Sequence, residues 1–333
     1  MGNLPAILEL RDLRVLLGGQ RRLLRKPVPQ VRAVGGVSLF VQQGEILGLV
    51  GESGCGKTTL GRAILGLQRE SGGEIHLDGK LVSGLPPKRA RVVRNDIHYV
   101  HQDAAAALDP WWSIGRTLEE GLRIHGVRSA DQRRAQVDEM LAAVGLDGSA
   151  RPRYPHEFSG GQLRRVALAR ILVLKPRFLI LDEPTSGLDM SVQATVLNLL
   201  LELRRRLGLT YLFISHDLSV VERFCDRVAI MYLGRIVELA ATREIFASPR
   251  HPYTRGLLSA VPRLAPGPKR AERLVQGEPP SAARLPEGCV FSSRCPHAEP
   301  ACSTTEPTLE DAAFGHQVAC RRWQELRPEA CAA

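Results

Sequence analysis

The 333-residue chain predicts an α/β fold, a mostly parallel sheet flanked by helices, with an antiparallel β layer, an inserted helical segment and a small cysteine-bearing C-terminal extension. Three observations predict it. The apolar run Ile46-Leu47-Gly48-Leu49-Val50 feeds a glycine-rich loop and then a helix-spaced stretch. A second run, Phe178-Leu179-Ile180-Leu181, ends in Asp182-Glu183, and a third, Tyr211-Leu212-Phe213-Ile214-Ser215, ends in His216. Short continuous apolar runs read as strands buried on both faces, which is how parallel strands sit, and ligands bind beyond the carboxyl ends of such strands.

The loop after the first run is Gly51-Glu52-Ser53-Gly54-Cys55-Gly56-Lys57-Thr58-Thr59, a G-x-x-x-x-G-K-[ST] spacing between strand and helix. Its glycines let backbone N–H groups converge on phosphate oxygens without side-chain interference. Lys57 supplies a cation for the β and γ phosphates, and Thr58 a hydroxyl ligand for Mg²⁺. The pattern predicts a phosphate-binding loop for a nucleoside triphosphate, the alternative being a chance glycine-rich turn between strand and helix.

Composition narrows the class. With 44% hydrophobic and 24% charged residues the chain has the balance of a globular protein, and its length suits a large and a small domain. No stretch approaches ~18 consecutive apolar residues, and the N-terminus lacks the pattern of a secretion signal, so a cytoplasmic location is expected. The net charge of +10 is spread along the chain, and aromatics make up only 5%, which reads as a basic surface rather than a nucleic-acid interface.

In chain order, Ile7–Val15 and Val31–Val41 read as strands on either side of a basic Gly/Pro-punctuated insertion from Gly18 to Pro29. Glu74–Leu77 and Lys80–Val82 flank Asp78-Gly79, a hairpin signal. From about 85 to 165 the pattern turns helical, an inserted subdomain in which Ile97–Val100 is a short strand delivering Gln102. Arg116–Gly126 and Asp131–Val144 have helical spacing, the latter ending at Gly145 as a cap.

Phe158-Ser159-Gly160-Gly161-Gln162 precedes a helix-periodic run, Leu163–Leu174. Free N–H groups and the positive helix end at Ser159–Gln162 suit a phosphate, while Ser159 alone suits an ordinary N-cap. Asp182 at its strand end is placed to hold Mg²⁺, and Glu183 to polarise an attacking water. Pro184-Thr185-Ser186-Gly187-Leu188-Asp189 then leads into a helix over Val192–Leu207, and His216 closes the next strand where it can reach a γ phosphate.

In that order, the loop, Gln102, Ser159–Gln162, Asp182-Glu183, Asp189 and His216 resemble the ATP-binding subunits of ABC transporters. The resemblance implies a P-loop NTPase with a RecA-like core, an ABC ATPase domain over 1–248 and an extension over 249–333. It makes Gln102 the glutamine that contacts Mg²⁺ and links nucleotide to the membrane subunit. Ser159–Gln162 becomes the signature closing over ATP on a partner subunit, Asp189 a dimer-interface residue and His216 the switch histidine. His251-Pro252-Tyr253-Thr254-Arg255-Gly256-Leu257-Leu258, with Gly277-Glu278-Pro279-Pro280-Ser281 beyond it, is similar to the C-terminal extension of peptide and nickel importer ATPases, and the chain looks most like their F-type subunit. That resemblance implies a D-type ATPase as heterodimer partner, two permease subunits, an extracytoplasmic solute-binding protein, peripheral attachment at the cytoplasmic face of the membrane and no direct nucleic-acid contact. Nickel chelates, glutathione or opines are alternative solutes, and a soluble ABC ATPase acting on nucleic acid or the ribosome is the alternative class; one P-loop and no sustained heptads speak against the latter. The chain departs from the family at Gln30, where members often carry a tyrosine that stacks on adenine; no aromatic precedes Phe40.

Seven cysteines are present. Disulfides are disfavoured in a cytoplasmic protein, and Cys55 and Cys225 read as bystanders. Cys289, Cys295, Cys302 and Cys320 lie in the tail with 5, 6 and 17 residues between them. Four thiolates suit a zinc site or an iron–sulfur cluster; close C-x-x-C pairs are absent, Pro296 follows Cys295, and free thiols stay open. Similarity to relatives with this tail implies a [4Fe-4S] cluster, with Zn²⁺ as alternative, in a structural role for a tail too short to build its own core. His297 and His316 read as surface residues able to substitute for a thiolate, and Cys331 as free.

Overall fold

The computed structural model describes residues 5–19, 29–101, 108–260, 277–283, 285–313 and 315–326. Its first half runs β1 (Ala6–Leu17), β2 (Val31–Gln42), β3 (Ile46–Val50), α1 (Lys57–Leu65), β4 (Gly72–Leu77), β5 (Lys80–Leu81), α2 (Pro87–Val93), β6 (Ile97–Val100), α3 (Ile114–Ile124), α4 (Ala130–Ala143) and α5 (Gly160–Leu172). The second continues with β7 (Phe178–Asp182), α6 (Met190–Leu207), β8 (Thr210–Ser215), α7 (Leu218–Phe224), β9 (Arg227–Tyr232), β10 (Arg235–Ala241), α8 (Thr242–Ala247), α9 (Pro252–Ser259), α10 (Pro300–Thr304), β11 (Glu310–Ala313) and β12 (His316–Val318). The chain forms two compact units, Met1–Ala90 with Leu212–Ala333, and Arg91–Tyr211.

The first unit holds an antiparallel sheet in the order β2-β1-β4-β5. Leu8, Leu10, Leu13 and Val15 of β1 are buried, and the alternation slips where the register shifts between Leu10 and Leu13, at Asp12 with its φ of 46°. A register shift of this kind lets one strand bend around a core. Asp78 and Gly79 take φ values of 47° and 72°, the left-handed pair that the β4–β5 hairpin needs. A second layer runs β11-β12-β10-β9-β3, in which β3 pairs parallel with β9 and every residue of β3 is buried.

The cysteine-bearing extension is part of this unit and shares the unit's core. β12 pairs with β10 through Glu238↔Val318 and Leu239↔Gln317, while Val290, Phe291, Val318 and Trp323 are buried. Glu238, fully buried on β10, accepts from the Arg250 N–H at 2.6 Å, the His251 N–H at 3.0 Å and His316 Nε2 at 2.7 Å. His316 is therefore no surface residue: it is 3% exposed and committed to that carboxylate. A buried carboxylate needs such a complete set of donors, and here they dock the extension.

In the second unit β6 and β7 run parallel, Tyr99 facing Ile180, and α3, α4 and α5 pack on one another. Ser113 and Ser129 accept from backbone N–H groups at the starts of α3 and α4, so these helices open as the sequence places them, to within two residues. Gly145, at φ 73°, follows α4 in the left-handed conformation expected of a helix stop.

Candidate active site

In the first unit β3 delivers the loop at its carboxyl end. A Cβ on Gly51 would stand 2.1 Å from the Met231 carbonyl oxygen, and one on Gly56 would stand 2.2 Å from that of Ala33. Backbone lies against both positions, and Gly56 also has a φ of 110°, so these two glycines are demanded by space as well as by conformation. Ser53 and Gly54 are exposed at the loop tip, and Thr58 and Thr59 open α1, half-buried. Lys57 is only 6% exposed; its Nζ donates to the carbonyls of Gly51 at 2.7 Å and Glu52 at 2.9 Å. The ammonium is thus held inside the curl of its own loop as a fixed cation. Cys55 Sγ lies 3.8 Å from that nitrogen, and burial pushes its thiol up, which makes it an inert part of the loop wall. His216 is exposed just beyond β8, and the next residue, Asp217, caps α7 through the N–H groups of Ser219 and Val220.

Glu52 is gripped from the same unit. Its N–H donates to Tyr253 Oη at 3.1 Å, and its carboxylate is bridged by Arg294 Nη1 at 2.9 and 3.1 Å. Neither partner was legible in the sequence, where Glu52 is one of the variable positions of the loop.

In the second unit β7 is buried throughout and ends on Asp182, 9% exposed, whose carboxylate accepts from the Tyr99 hydroxyl on neighbouring β6. Tyr99 was read only as a strand residue; the parallel pairing that brings it to Asp182 is a non-local fact. The next residue, Glu183, has φ 50°, a left-handed conformation uncommon for a side chain of this kind. Hydrogen bonds from Ser186 N–H to the Glu183 carbonyl at 3.1 Å and from Leu188 N–H to that of Thr185 at 3.3 Å fold the segment into successive turns. Asp189 ends it as the N-cap of α6, accepting from the N–H groups of Ser191 and Val192, both at 3.0 Å. The Val192 N–H first, then the Ser191 hydroxyl, hold the Asp189 carboxyl below its ordinary range.

Ser159 and Gln162 cap α5 reciprocally: Ser159 Oγ accepts from Gln162 N–H at 3.4 Å, and Gln162 Oε1 accepts from Ser159 N–H at 3.0 Å. The N-cap reading of Ser159 therefore describes the local structure. Gly160 is exposed and Gly161 half-buried, with no atom within 4 Å of a Cβ built on either. Gln102 and Cys331 lie outside the described residues.

Cys289, Cys295, Cys302 and Cys320 line one cavity of about 20 Å³, together with His251 and His297. Cys289 N–H donates to the Cys302 carbonyl at 2.7 Å, and a Cβ on Gly288 would stand 2.3 Å from that oxygen. Burial, reinforced by the neighbouring thiols, pushes Cys289 and Cys320 up to about 11. Among the described residues no group of three or more His, Cys, Asp or Glu is arranged to hold a metal ion, and the cavity has room for about one water.

Residues 34–186 match the ABC transporter family, and residues 237–302 match the oligopeptide/dipeptide transporter C-terminal region. The chain is 46% identical, over 321 residues, to the oligopeptide transport ATP-binding protein AppF of Bacillus subtilis, covering 96% of this chain and 98% of that one. The chain belongs to the ABC transporter ATP-binding family. It is also 46% identical to the oligopeptide transport ATP-binding protein OppF of Escherichia coli, over 96% of this chain and 97% of that one. Among solved structures, cbiO1 from Clostridium perfringens, part of the ABC transporter complex cbiONQ, matches with a TM-score of 0.63 at 30% identity, covering 73% of this chain and 91% of that one. A dimeric cassette in a post-hydrolysis state, MJ0796 bound to ADP and Pi, matches at 0.61 and 26% identity, covering 71% of this chain and 99% of that one. As an ABC ATPase the chain hydrolyses ATP to drive transport. Among the described residues no helix is long and apolar enough to cross a membrane.

Proposed function

We propose that this ABC ATPase energises the import of oligopeptides and dipeptides, bound at the cytoplasmic face of the membrane to two permease subunits and fed by an extracytoplasmic solute-binding protein. The observation that carries the ATP reading is the loop after β3, where Lys57 is fixed by two carbonyls and two glycines are fixed by backbone. Peptide as the solute rests on the extension and on the relatives AppF and OppF, both oligopeptide transport proteins. The domain division at 248 belongs to the same proposal.

In this reading the amides of Gly51, Ser53, Gly54, Cys55, Gly56, Lys57, Thr58 and Thr59 and the Lys57 ammonium bind the phosphates, so that charge developing on the γ-phosphoryl oxygens meets preorganised donors. Mg²⁺ is a hard cation that takes oxygen ligands. Asp182, an oxygen donor oriented by Tyr99, fits it, as do the Thr58 hydroxyl and the Gln102 amide oxygen. Bound there, the ion neutralises charge on the phosphates. Glu183 takes a proton from the attacking water, and His216 and Gln102 sense the γ phosphate. Ser159, Gly160, Gly161 and Gln162 close over ATP held by a second ATPase subunit, of D type, with Asp189 at the interface; the dimeric relative bound to ADP and Pi supports such a pairing.

For the cysteines we propose a structural [4Fe-4S] cluster in preference to Zn²⁺. Support comes from the convergence of all four thiols on one cavity. The cavity they line, about 20 Å³, is smaller than a cluster, so loading requires it to widen. Chain purified without oxygen is expected to contain iron and acid-labile sulfide in equal amounts; zinc alone, or neither metal, contradicts the proposal.

The transport reading is tested by uptake of labelled di-, tri- and tetrapeptides in native cells whose only copy of the chain carries Glu183→Gln. Collapse of one size class is expected. Normal entry of every peptide, with the mutant chain present and no second importer expressed, contradicts it.

A further inference from the structure

Among the described residues, the cysteine-bearing extension grips the proposed phosphate loop at Glu52. Glu52 brings a carboxylate to the second position of a loop whose other features all favour anions. Left unbalanced there, it would repel the polyphosphate. Arg294, between Cys289 and Cys295 in the sequence, answers it. Its Nη1 bridges both Glu52 oxygens at 2.9 and 3.1 Å and reaches Tyr232 Oη at 3.3 Å. The guanidinium side chain is 8% exposed against 27% for Glu52, so the contact is shielded from salt far more than a surface pair is.

The rest of the grip is aromatic. Tyr253 Oη takes the Glu52 N–H, and Tyr232, Tyr253 and Phe291 meet one another with ring centroids 4.7, 5.3 and 5.4 Å apart. All three rings are at most 1% exposed. The cluster draws on β9, α9 and the first part of the tail, and it fixes both the main chain and the side chain of Glu52.

The geometry points to Arg294 as a positioning residue for ATP binding: from the extension it neutralises Glu52 and holds the phosphate loop in its binding shape. This rests on the reading of Gly51–Thr59 as the ATP phosphate site. Arg294 touches no substrate in this account; it acts through Glu52.

The test is a charge cycle on the full-length chain, read as the equilibrium Kd for ATP with Mg²⁺ and accompanied by a thermal melt. Arg294→Gln, which keeps most of the stem, is expected to weaken ATP binding about tenfold, between the small effect of an exposed pair and the large effect of a buried one. Arg294→Lys, which keeps the charge, is expected to lose less than about threefold on the same grounds. Adding Glu52→Gln to Arg294→Gln is expected to restore the wild-type Kd to within about threefold, since the unbalanced charge is gone. A double variant as weak as Arg294→Gln alone overturns the proposal, because a residue that merely folds the tail would not be rescued from Glu52. Unchanged affinity in Arg294→Gln overturns it as well. If Arg294→Gln does not fold, a Lys variant that folds yet loses tenfold contradicts the charge role. Lys57→Ala is the separate control: if it binds ATP as the wild type does, the phosphate-loop reading fails and the brace with it.

Discussion

The phosphate loop and the signature segment are both glycine-bearing turns that lead into a helix, and the structure treats them in opposite ways. In the loop, Gly51 and Gly56 face backbone while Gly54 stands open at the tip: the carbonyls of Met231 and Ala33 leave no room for a methyl group on the first two, and Glu52 is held by Tyr253 and Arg294. In the signature, Gly160 and Gly161 face open space, and the Ser159–Gln162 cap closes the turn. The difference teaches that the same residue type answers two demands. One loop is built by its own unit before nucleotide arrives, so little ordering is left for binding to offset. The other keeps its glycines bare, which suits a surface that a second molecule approaches closely.

The comparison is broken most sharply by alanine at each turn. Gly51→Ala is expected to destroy ATP binding, by more than ~100-fold, or to prevent folding, because the Met231 backbone at 2.1 Å and the Cys55 thiol at 2.8 Å must both move. Gly160→Ala is expected to leave the melting temperature unchanged or raised, since alanine is preferred to glycine at helical positions. Its cost should appear only in hydrolysis by the assembled transporter. A Gly160→Ala chain that melts well below wild type would place the signature in the folded core after all.

A smaller effect sharpens the same contrast. His251 caps α9 by accepting the Tyr253 N–H at 3.1 Å, and burial lowers its pKa to about 4. An unfolded histidine titrates near 6.5, so between those values the unfolded chain binds the extra proton. The contribution is complete above about pH 6.5 and is lost as pH falls toward 4, by roughly 3 kcal/mol at the limit. Denaturant midpoints at pH 7.5 and 5.5 should therefore differ in the wild type. His251→Asn, which keeps a cap acceptor but cannot titrate, should flatten that difference; an unaltered slope would remove His251 as its source.

Much of this was legible in the sequence because it is local. The spacing of Gly51, Gly56 and Lys57, the apolar runs that became β3, β7 and β8, and the Asp78-Gly79 hairpin each depend on a few neighbouring residues. What escaped depends on pairing between distant segments. Tyr99 reaches Asp182 only because β6 lies beside β7, and Arg294 reaches Glu52 across 242 positions. His316 was misread for the same reason: nothing near it in sequence announces Glu238 on β10. The strands β9 to β12 likewise gave no sequence signal of their own partners, and so the pairing of the extension into the sheet through β12 was not legible.

The most direct measurement of the central claim is ATP binding and steady-state hydrolysis by the assembled complex carrying Glu183→Gln. The account predicts ATP affinity within about threefold of wild type and turnover reduced by ~10² to 10⁴, the loss expected when a positioned general base is removed. Turnover near the wild-type rate, with ATP still bound, would contradict it.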